Sequence, residues 1–169
     1  IIAQFKSLCL MGIGKIMGEK FGDINTSINF LEKASEADPN NAEAFLLLGT
    51  AFSMKQDYQK SITFTQKSLA LRPDNIDTKK NLATAYQQFA LADTKQKAGL
   101  LIAEKLLVDV LNEEKKLADN DVKKRDGLLR TLDLLIRNYT LQGKTDKVKE
   151  YKSELLMLGS DSIPAGKSL

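Results

Sequence analysis

The sequence repeats itself at an interval of 34 residues, and this period limits what the chain can fold into. Residues of the same chemical type recur at that spacing: Asp23 and Asp57, Ile28 and Ile62, Lys33 and Lys67, Ala34 and Ser68, Pro39 and Pro73, Asn40 and Asp74, Leu48 and Leu82, Phe52 and Tyr86. A fixed period of this length is typical of repeat proteins, in which each repeat is one supersecondary unit stacked on its neighbours.

Each repeat has the apolar pattern of two helices. Phe45, Leu48, Gly49 and Phe52 follow i, i+3, i+4 and i+7 spacing, which is one stripe of an α-helix. A second stripe follows the turn at Gln56–Asp57 and stops at Arg72-Pro73-Asp74, and its members are Ser61, Ile62, Thr65, Ser68 and Leu69. Each unit is therefore predicted to be a helical hairpin, with Gly49 at the closest approach of its two helices because glycine otherwise weakens a helix.

The second unit resembles the tetratricopeptide repeat family almost throughout. It carries Phe45, Leu48–Gly49, Phe52, Ser61, Ser68 and Pro73 at the family's positions, and it departs at Thr65, where a large apolar residue is usual. The first unit matches with one extra residue between Gly14 and Gly22, through Leu10, Ile13–Gly14, Met17, Gly22–Asp23, Ser27, Leu31, Ala34 and Pro39. The third begins with Leu82–Ala83 and Tyr86 and is then elongated. A degenerate fourth runs through Leu132, Leu135–Ile136, Tyr139, Gly143, Val148 and Leu155.

The resemblance implies an all-α, right-handed superhelix of about three to four helical hairpins. Apolar spacing predicts helices at about 3–20, 24–37, 42–55, 58–71, 76–91, 95–118, 122–142 and 145–158. We expect residues 1–158 to form one helical repeat domain and residues 159–169 to form a flexible tail. The last helix pair is expected to act as a cap, because it carries many lysine residues on its surface.

Composition excludes several classes of function. The chain has no histidine, which excludes His-based catalysis and His-containing zinc sites. The net charge of +3 is too small to predict a nucleic-acid or anionic-membrane partner by bulk attraction. Cys9 is predicted to be a buried, inert thiol, and no segment has the run of uncharged apolar residues that a membrane-spanning helix needs. We expect no catalytic site, no metal and no cofactor, and the compartment stays open, with the cytoplasm favoured over the periplasm.

Four short motifs suggest chemistry that their context does not support. The Gly166-Lys167-Ser168 string lacks the glycine of a phosphate-binding loop, since Asp161 stands there, and Gly12, Gly14 and Gly18 lie in a predicted helix. Asp119-Asn120-Asp121 is interpreted as a polar turn rather than a calcium loop. The basic cluster Lys123-Lys124-Arg125 is interpreted as a solvated helix face, because acidic residues are interleaved with it and with the later lysines.

The remaining candidate site is implied by the resemblance. In the family, the first helix of each repeat lines a concave groove that holds a peptide or a partner helix. Carried over by position, the groove comprises Met11, Lys15, Glu43, Leu46, Thr50, Met54, Lys80, Thr84, Gln87 and Gln88. Leu46 and Met54 lie off the stripe that the hairpin itself needs, so they are predicted to be apolar anchors, flanked by Glu43, Lys80 and Gln87.

The resemblance also allows one class of partner to be tested. Family members that hold the acidic tails of Hsp70 and Hsp90 use a carboxylate clamp, and its positions here are Met11, Lys15, Leu47, Asp77 and Asn81. None matches, and Asp77 would repel a carboxylate, which argues against that role. We therefore expect a non-enzymatic adaptor, scaffold or assembly factor with a protein or peptide partner. The alternative is a soluble repeat domain of a larger membrane-bound enzyme or secretion component, and homo-oligomerisation is left open.

Overall fold

The computed structural model describes residues 1–117 and 122–160, and all regular structure in these ranges is helical. The order is α1 (Ile2–Glu19), α2 (Ile24–Ala37), α3 (Ala42–Met54), α4 (Tyr58–Leu71), α5 (Ile76–Ala92), a 3-10 helix (Thr94–Ala98), α6 (Gly99–Leu117), α7 (Val122–Gln142) and α8 (Thr145–Ser160). The all-α prediction is confirmed. The sixth helix differs from its prediction, because its first turn is a separate 3-10 helix.

Two compact units divide the chain, Ile1–Phe89 and Ala90–Leu169. The predicted turn Asp119-Asn120-Asp121 and most of the predicted tail, residues 161–169, lie outside the described residues. The side chains of Lys123 and Lys124 lie outside them as well. Arg125, the third member of that basic cluster, donates from Nη2 to the carbonyl oxygen of Leu158, so its guanidinium takes part in an internal contact.

Asp and Asn side chains start four consecutive helices of the first unit. In each case the side-chain oxygen accepts from the backbone N–H three residues later, which satisfies one of the donors that a helix N-terminus leaves without a partner. The pairs are Asp23 with Thr26 (3.0 Å), Asn41 with Ala44 (3.1 Å), Asp57 with Lys60 (3.2 Å) and Asn75 with Thr78 (2.8 Å). The capping residues therefore also recur at intervals of 34, as Asp23 and Asp57 and as Asn41 and Asn75.

The hairpin turns share one backbone geometry. Gly22, Gln56 and Gly143 have positive φ angles of 67°, 61° and 73°. The N–H of the next residue then donates to a carbonyl of the last turn of the preceding helix. Asp57 donates to Phe52 (3.0 Å) and Lys144 to Tyr139 (2.9 Å), each five residues back, which is the Schellman pattern. In the first turn Asp23 donates to Met17 (3.0 Å), six residues back, so this turn holds one extra residue. The turn between α7 and α8 is thus built like the turn between α3 and α4.

The core of the first unit is formed by the predicted apolar stripes. Its buried members are Ile28, Leu31, Phe45, Leu48, Ala51 and Phe52. The rings of Phe52 and Phe64 stack on this cluster with their centroids 5.4 Å apart. α2 contributes to two interfaces, because it packs against both α1 and α3.

Glycines allow the two helices of each hairpin to approach closely. A Cβ added to Gly49 would overlap Thr65 Oγ1 and would lie 3.1 Å from the carbonyl oxygen of Ser61. A Cβ on Gly14 would lie 3.1 Å from the carbonyl oxygen of Ser27, the equivalent position in the first hairpin. The predicted close approach at Gly49 is confirmed, and it explains Thr65, since a large apolar residue there would have no room beside α3.

Cys9 corrects one prediction, because its side chain is exposed. Its apolar neighbours Phe5, Leu8, Ile13 and Ile16 are exposed too, so α1 is apolar on two faces and only one of them is covered by the described chain. Apolar neighbours in sequence indicated burial, but they do not specify which face of a helix a second element covers.

Buried leucines and a polar network hold the second unit together. Leu100, Leu107, Leu132 and Leu135 are among its most buried side chains. The Glu104 carboxylate accepts from Gln142 Nε2 (2.9 Å), Lys144 Nζ (2.9 Å) and Tyr139 OH (3.2 Å). Burial opposes ionisation of Glu104, but the hydrogen bonds from Lys144 and Gln142 prevail and lower its pKa. Burial, together with the charge of Glu104, raises the pKa of Tyr139.

Candidate functional site

Two adjacent pockets lie along α3 in the first unit, and Thr50 and Met54 line both of them. The two side chains are one helical turn apart, so they project from the same face of α3. Met54 is 62% exposed, although it is a large apolar residue. We call these two pockets, with Thr50 and Met54 between them, the α3 groove.

The first pocket is lined by small and hydroxyl-bearing side chains. Gly49 and Ser53 of α3 form one wall, Ser61 and Thr65 of α4 form the floor, and Asn81 and Thr84 of α5 form the opposite wall. Gly49 lies at the point where α3 and α4 touch, so the pocket begins at the closest approach of these two helices. Its surface therefore combines methyl groups with hydroxyl and amide groups, without a charged side chain.

The second pocket is more apolar and has a charged rim. Ile24, Leu31, Leu47 and Ala51 supply its apolar surface, and Lys15 and Glu19 of α1 stand at its edge. Lys15 Nζ and Glu19 Oε1 are 4.0 Å apart, and both side chains are at least half exposed. The positive charge at this edge is thus accompanied by a negative one.

Threonine hydroxyls in the groove are already used within the helices. Thr50 Oγ1 donates to the carbonyl oxygen of Leu46 (3.1 Å), and Thr84 Oγ1 donates to that of Lys80 (2.9 Å). Each hydroxyl proton is occupied, and the oxygen keeps a free lone pair for an incoming N–H. The groove therefore offers hydrogen-bond acceptors on both α3 and α5.

Four of the predicted groove residues line these pockets: Lys15, Thr50, Met54 and Thr84. Leu46 and Glu43 are half-buried on α3, and Lys80 is half-buried on α5. Gln88 Oε1 accepts from Ser53 Oγ (2.6 Å), which ties α5 to α3 beside the first pocket. Glu19 was missed by the sequence analysis, although its i+4 spacing from Lys15 places it on the same face of α1.

Two predicted positions are corrected by the structure. Gln87 is fully buried, so its side chain is not available to a ligand in the groove. Met11 is half-buried and packs against the core of the first unit, and its sulfur lies 3.8 Å from Asn41 Nδ2. Both residues lie on the packing faces of their helices: Gln87 is four residues after buried Ala83, and Met11 is four after buried Ser7.

The part of the chain that the structure describes contains no group of three or more Cys, Asp and Glu residues arranged to hold a metal ion. Among the described helices, none is both long enough and apolar enough to span a membrane.

Residues 30–63 match the tetratricopeptide repeat family model. Over 67 residues, 40% of the chain, the sequence is 36% identical to the PEX5-related proteins of Mus musculus and Homo sapiens. That stretch covers only 12% and 11% of the length of these relatives.

Solved structures of tetratricopeptide-type proteins share the fold. MamA is 21% identical, with a TM-score of 0.69 over 92% of this chain and 79% of its own. A putative kinesin light chain from Podosopora anserina with TPR-like repeats is 14% identical, with a TM-score of 0.74 over 94% and 77%. The first TPR of Spaghetti (RPAP3), bound to an HSP90 peptide, is 21% identical, with a TM-score of 0.57 over 78% and 94%. Residues 30–63 thus match one tetratricopeptide repeat in sequence, and the helical hairpins described here, with small residues at their closest approach, have the fold of tetratricopeptide repeat proteins.

Proposed function

We propose that this chain is a non-enzymatic protein-interaction module that binds an extended segment of a partner protein in the α3 groove. The observation that carries the proposal is the exposure of Met54 between two pockets. The fold leaves most of this apolar side chain in water, so a ligand in either pocket would cover it. The fold supports the same function, because tetratricopeptide repeats serve generally in protein binding.

In this proposal, Met54 is the main apolar anchor and Thr50 contacts the bound backbone. Methionine is flexible and polarisable, so it adapts to side chains of different shape in either pocket. Thr50 and Thr84 each offer an oxygen lone pair to peptide N–H groups. Affinity would come from these few anchors on a groove that is formed before binding, rather than from total buried area.

The charges around the groove favour a neutral or mixed-charge segment. Lys15 is accompanied by Glu19, and Asp77 is exposed near the start of α5. An acidic tail of the Hsp70 or Hsp90 type needs a cluster of positive side chains, and the groove does not provide one. This exclusion stays a prediction for the present chain. The bound HSP90 peptide belongs to Spaghetti (RPAP3).

The experiment is a peptide selection on the full chain followed by measured affinities. Peptides of about 12 residues selected from a displayed library are titrated by fluorescence anisotropy against wild type, Met54→Glu and Met157→Glu. Met157 on α8 is the matched control, because it is 69% exposed and Met54 is 62% exposed. We expect Met54→Glu to weaken binding at least tenfold, about 1.4 kcal/mol, and Met157→Glu to leave it unchanged.

A second pair of variants separates the groove from the basic surface of the second unit. Leu46→Glu combined with Met54→Glu should reduce binding further, while glutamine at Lys149 and Lys152 should have little effect. Selected peptides that bind Met54→Glu as tightly as wild type, or a library that yields no binder, would contradict the groove proposal. Circular dichroism on each variant checks that the helical content is retained.

A further inference from the structure

The outward face of α1 is apolar along most of its length. We define the α1 outer face as Phe5, Leu8, Cys9, Gly12, Ile13 and Ile16. At 100° per residue these six positions fall on one side of the helix, opposite buried Ser7 and Gly14. Phe5 is 70% exposed, Leu8 55%, Ile16 47% and Ile13 42%. A contiguous exposed apolar surface of this kind indicates an interaction site.

The second hairpin shows what covers the equivalent face. α1 and α3 correspond with an offset of 35 residues, because Gly14 matches Gly49 in its close approach and the Met17 carbonyl matches that of Phe52 as the acceptor for the N–H that follows the turn. The exposed Cys9, Ile13 and Ile16 therefore occupy the positions of Ala44, Leu48 and Ala51, all of which are buried. Leu48 and Ala51 are buried in a cluster with Ile28 and Leu31 of α2.

Gly12 points to the close approach of a second helix on this face. Glycine lowers the stability of a helix interior, and Gly14, Gly18 and Gly49 are each explained by a neighbouring helix within 4 Å. Gly12 lies in the middle of the α1 outer face, and nothing lies within 4 Å of where its Cβ would be. Gly12 therefore differs from the other three helical glycines, because no described residue occupies the space that its missing side chain leaves.

The charges beside the face indicate the sign of its occupant. Lys6 and Lys20 lie on the Ile13 side of the face, and both are exposed. Glu19 lies on the opposite side, near Leu8, where it pairs with Lys15 at 4.0 Å, so among the described residues the unpaired positive charge is on the Ile13 side alone. Neither forms an ion pair with another described residue. The α2 helix, which covers the equivalent face of α3, carries the exposed acidic residues Glu32 and Glu36 at i and i+4. A helix with an apolar stripe like that of α2 and an acidic edge would complement both the surface and the lysines.

We propose that the α1 outer face binds an acidic amphipathic α-helix of a partner protein, packed on α1 as α2 packs on α3. This site is separate from the α3 groove, so the two proposals stand or fall independently. A second copy of this chain fits less well as the occupant. By the equivalence of the Gly22 and Gly143 turns, α8 has Lys149 and Lys152 where α2 has Ile28 and Leu31. Two lysines in those positions would be buried against an apolar surface.

The test uses the α2 segment as a peptide, because α2 covers the equivalent face of α3 in this chain. A synthetic peptide of residues 23–39 of this chain is crosslinked through the exposed positions 29 and 33, so that it is helical before binding. It is labelled and titrated with the full chain by fluorescence anisotropy. We expect saturable binding that weakens as NaCl is raised, and a peptide with Glu32→Lys and Glu36→Lys should bind at least threefold less tightly.

Variants of the full chain assign the binding to α1. Ile13→Lys with Ile16→Lys should weaken peptide binding at least tenfold, and Leu156→Lys with Met157→Lys on α8 should not. Gly12→Glu is the second variant. Because its Cβ meets open space, the fold should tolerate the change, while the carboxylate stands in the middle of the face and repels an acidic helix.

Three results would overturn the proposal. One is the absence of saturable binding up to about 1 mM peptide, the weakest affinity that such a titration detects. Another is equal binding by wild type and Gly12→Glu in samples with the same helical signal, which would place the peptide elsewhere. The last is a dimer in sedimentation velocity that Gly12→Glu abolishes, which would make a second copy of this chain the occupant.

Discussion

Asn41 Nδ2 donates to Ser7 Oγ at 2.9 Å, and these two residues are 34 positions apart in the chain. Ser7 Oγ in turn donates to the carbonyl oxygen of Ala34 at 2.7 Å, and Ser7 is fully buried. Asn41 also starts α3, because its Oδ1 accepts from the N–H of Ala44. One amide side chain thus caps a helix and joins α3 to α1, so its loss should be felt in both hairpins.

Asn41→Ala should lower the free energy of unfolding by about 2 kcal/mol, because it removes a helix cap and a buried hydrogen bond, each contributing about 1 kcal/mol. Asn75→Ala is the matched control, since Asn75 occupies the next repeat's position and makes the same cap to Thr78. We expect it to cost about half as much. Urea denaturation followed by circular dichroism measures both. Equal losses in the two variants would mean that the bond from Asn41 to Ser7 adds nothing.

Gly49→Ala should destabilise the chain although alanine is the better helix former. The added Cβ would overlap Thr65 Oγ1, and the backbone of α4 is close behind it, so the hairpin must open slightly. We expect a cost of roughly 1 to 3 kcal/mol, the usual range for overpacking. Gly49→Leu should cost more.

The control for this change is Gly12→Ala, because Gly12 has nothing within 4 Å of its Cβ position. It should raise the free energy of unfolding by up to about 1 kcal/mol through helix propensity alone. Thermal unfolding distinguishes the two variants by sign. A higher midpoint for Gly49→Ala would show that the two helices separate without cost.

Much of the fold followed from residue type and spacing. The period of 34, the small residues and the prolines predict the hairpins, and the predicted close approach at Gly49 is confirmed. The groove residues were carried over by position from the family resemblance, and this did not predict the burial of Gln87. Gln87 follows buried Ala83 by four residues on the packing face of α5. The packing of α5 in this chain, rather than the family position, decides burial there.

Cys9 shows the opposite error. Its apolar neighbours indicated a core position, but α1 has two apolar faces, and α2 covers only one of them. A pattern of apolar residues predicts which faces of a helix are buried against another element. It does not identify the element that covers each one, which depends on the tertiary arrangement or on a partner.

Gln56→Gly should stabilise the chain. Gln56 has a φ of 61°, in the left-handed region, while the equivalent turns use Gly22 and Gly143. A side chain in this conformation costs about 1 to 2 kcal/mol, which glycine avoids. About half of this benefit is offset, because glycine has more conformational freedom in the unfolded state. We expect a net gain of roughly 0.5 to 1 kcal/mol by urea denaturation. The reverse change, Gly143→Gln, should destabilise by a similar amount, and a loss of stability in Gln56→Gly would contradict this account of the turn.

Glu104→Gln should lower stability at neutral pH and have little effect in acid. The carboxylate accepts from Lys144, Gln142 and Tyr139, and the pKa of Glu104 in the folded chain is lowered from its ordinary value of 4.5. A group whose pKa is lower in the folded state stabilises that state above its unfolded pKa, and this contribution disappears as the pH falls through the folded pKa.

Because Lys144 is 43% exposed, solvent screens part of the interaction, and we expect the variant to lose about 1 kcal/mol at pH 7. Urea denaturation at pH 7 and again below the pKa of Glu104 measures the difference. The gap between wild type and Glu104→Gln should close in acid. Glu150→Gln is the control, because Glu150 and Lys147 form an exposed pair at 2.8 Å whose loss should matter much less. A gap that persists unchanged at low pH would show that Glu104 acts through its shape and not through its charge.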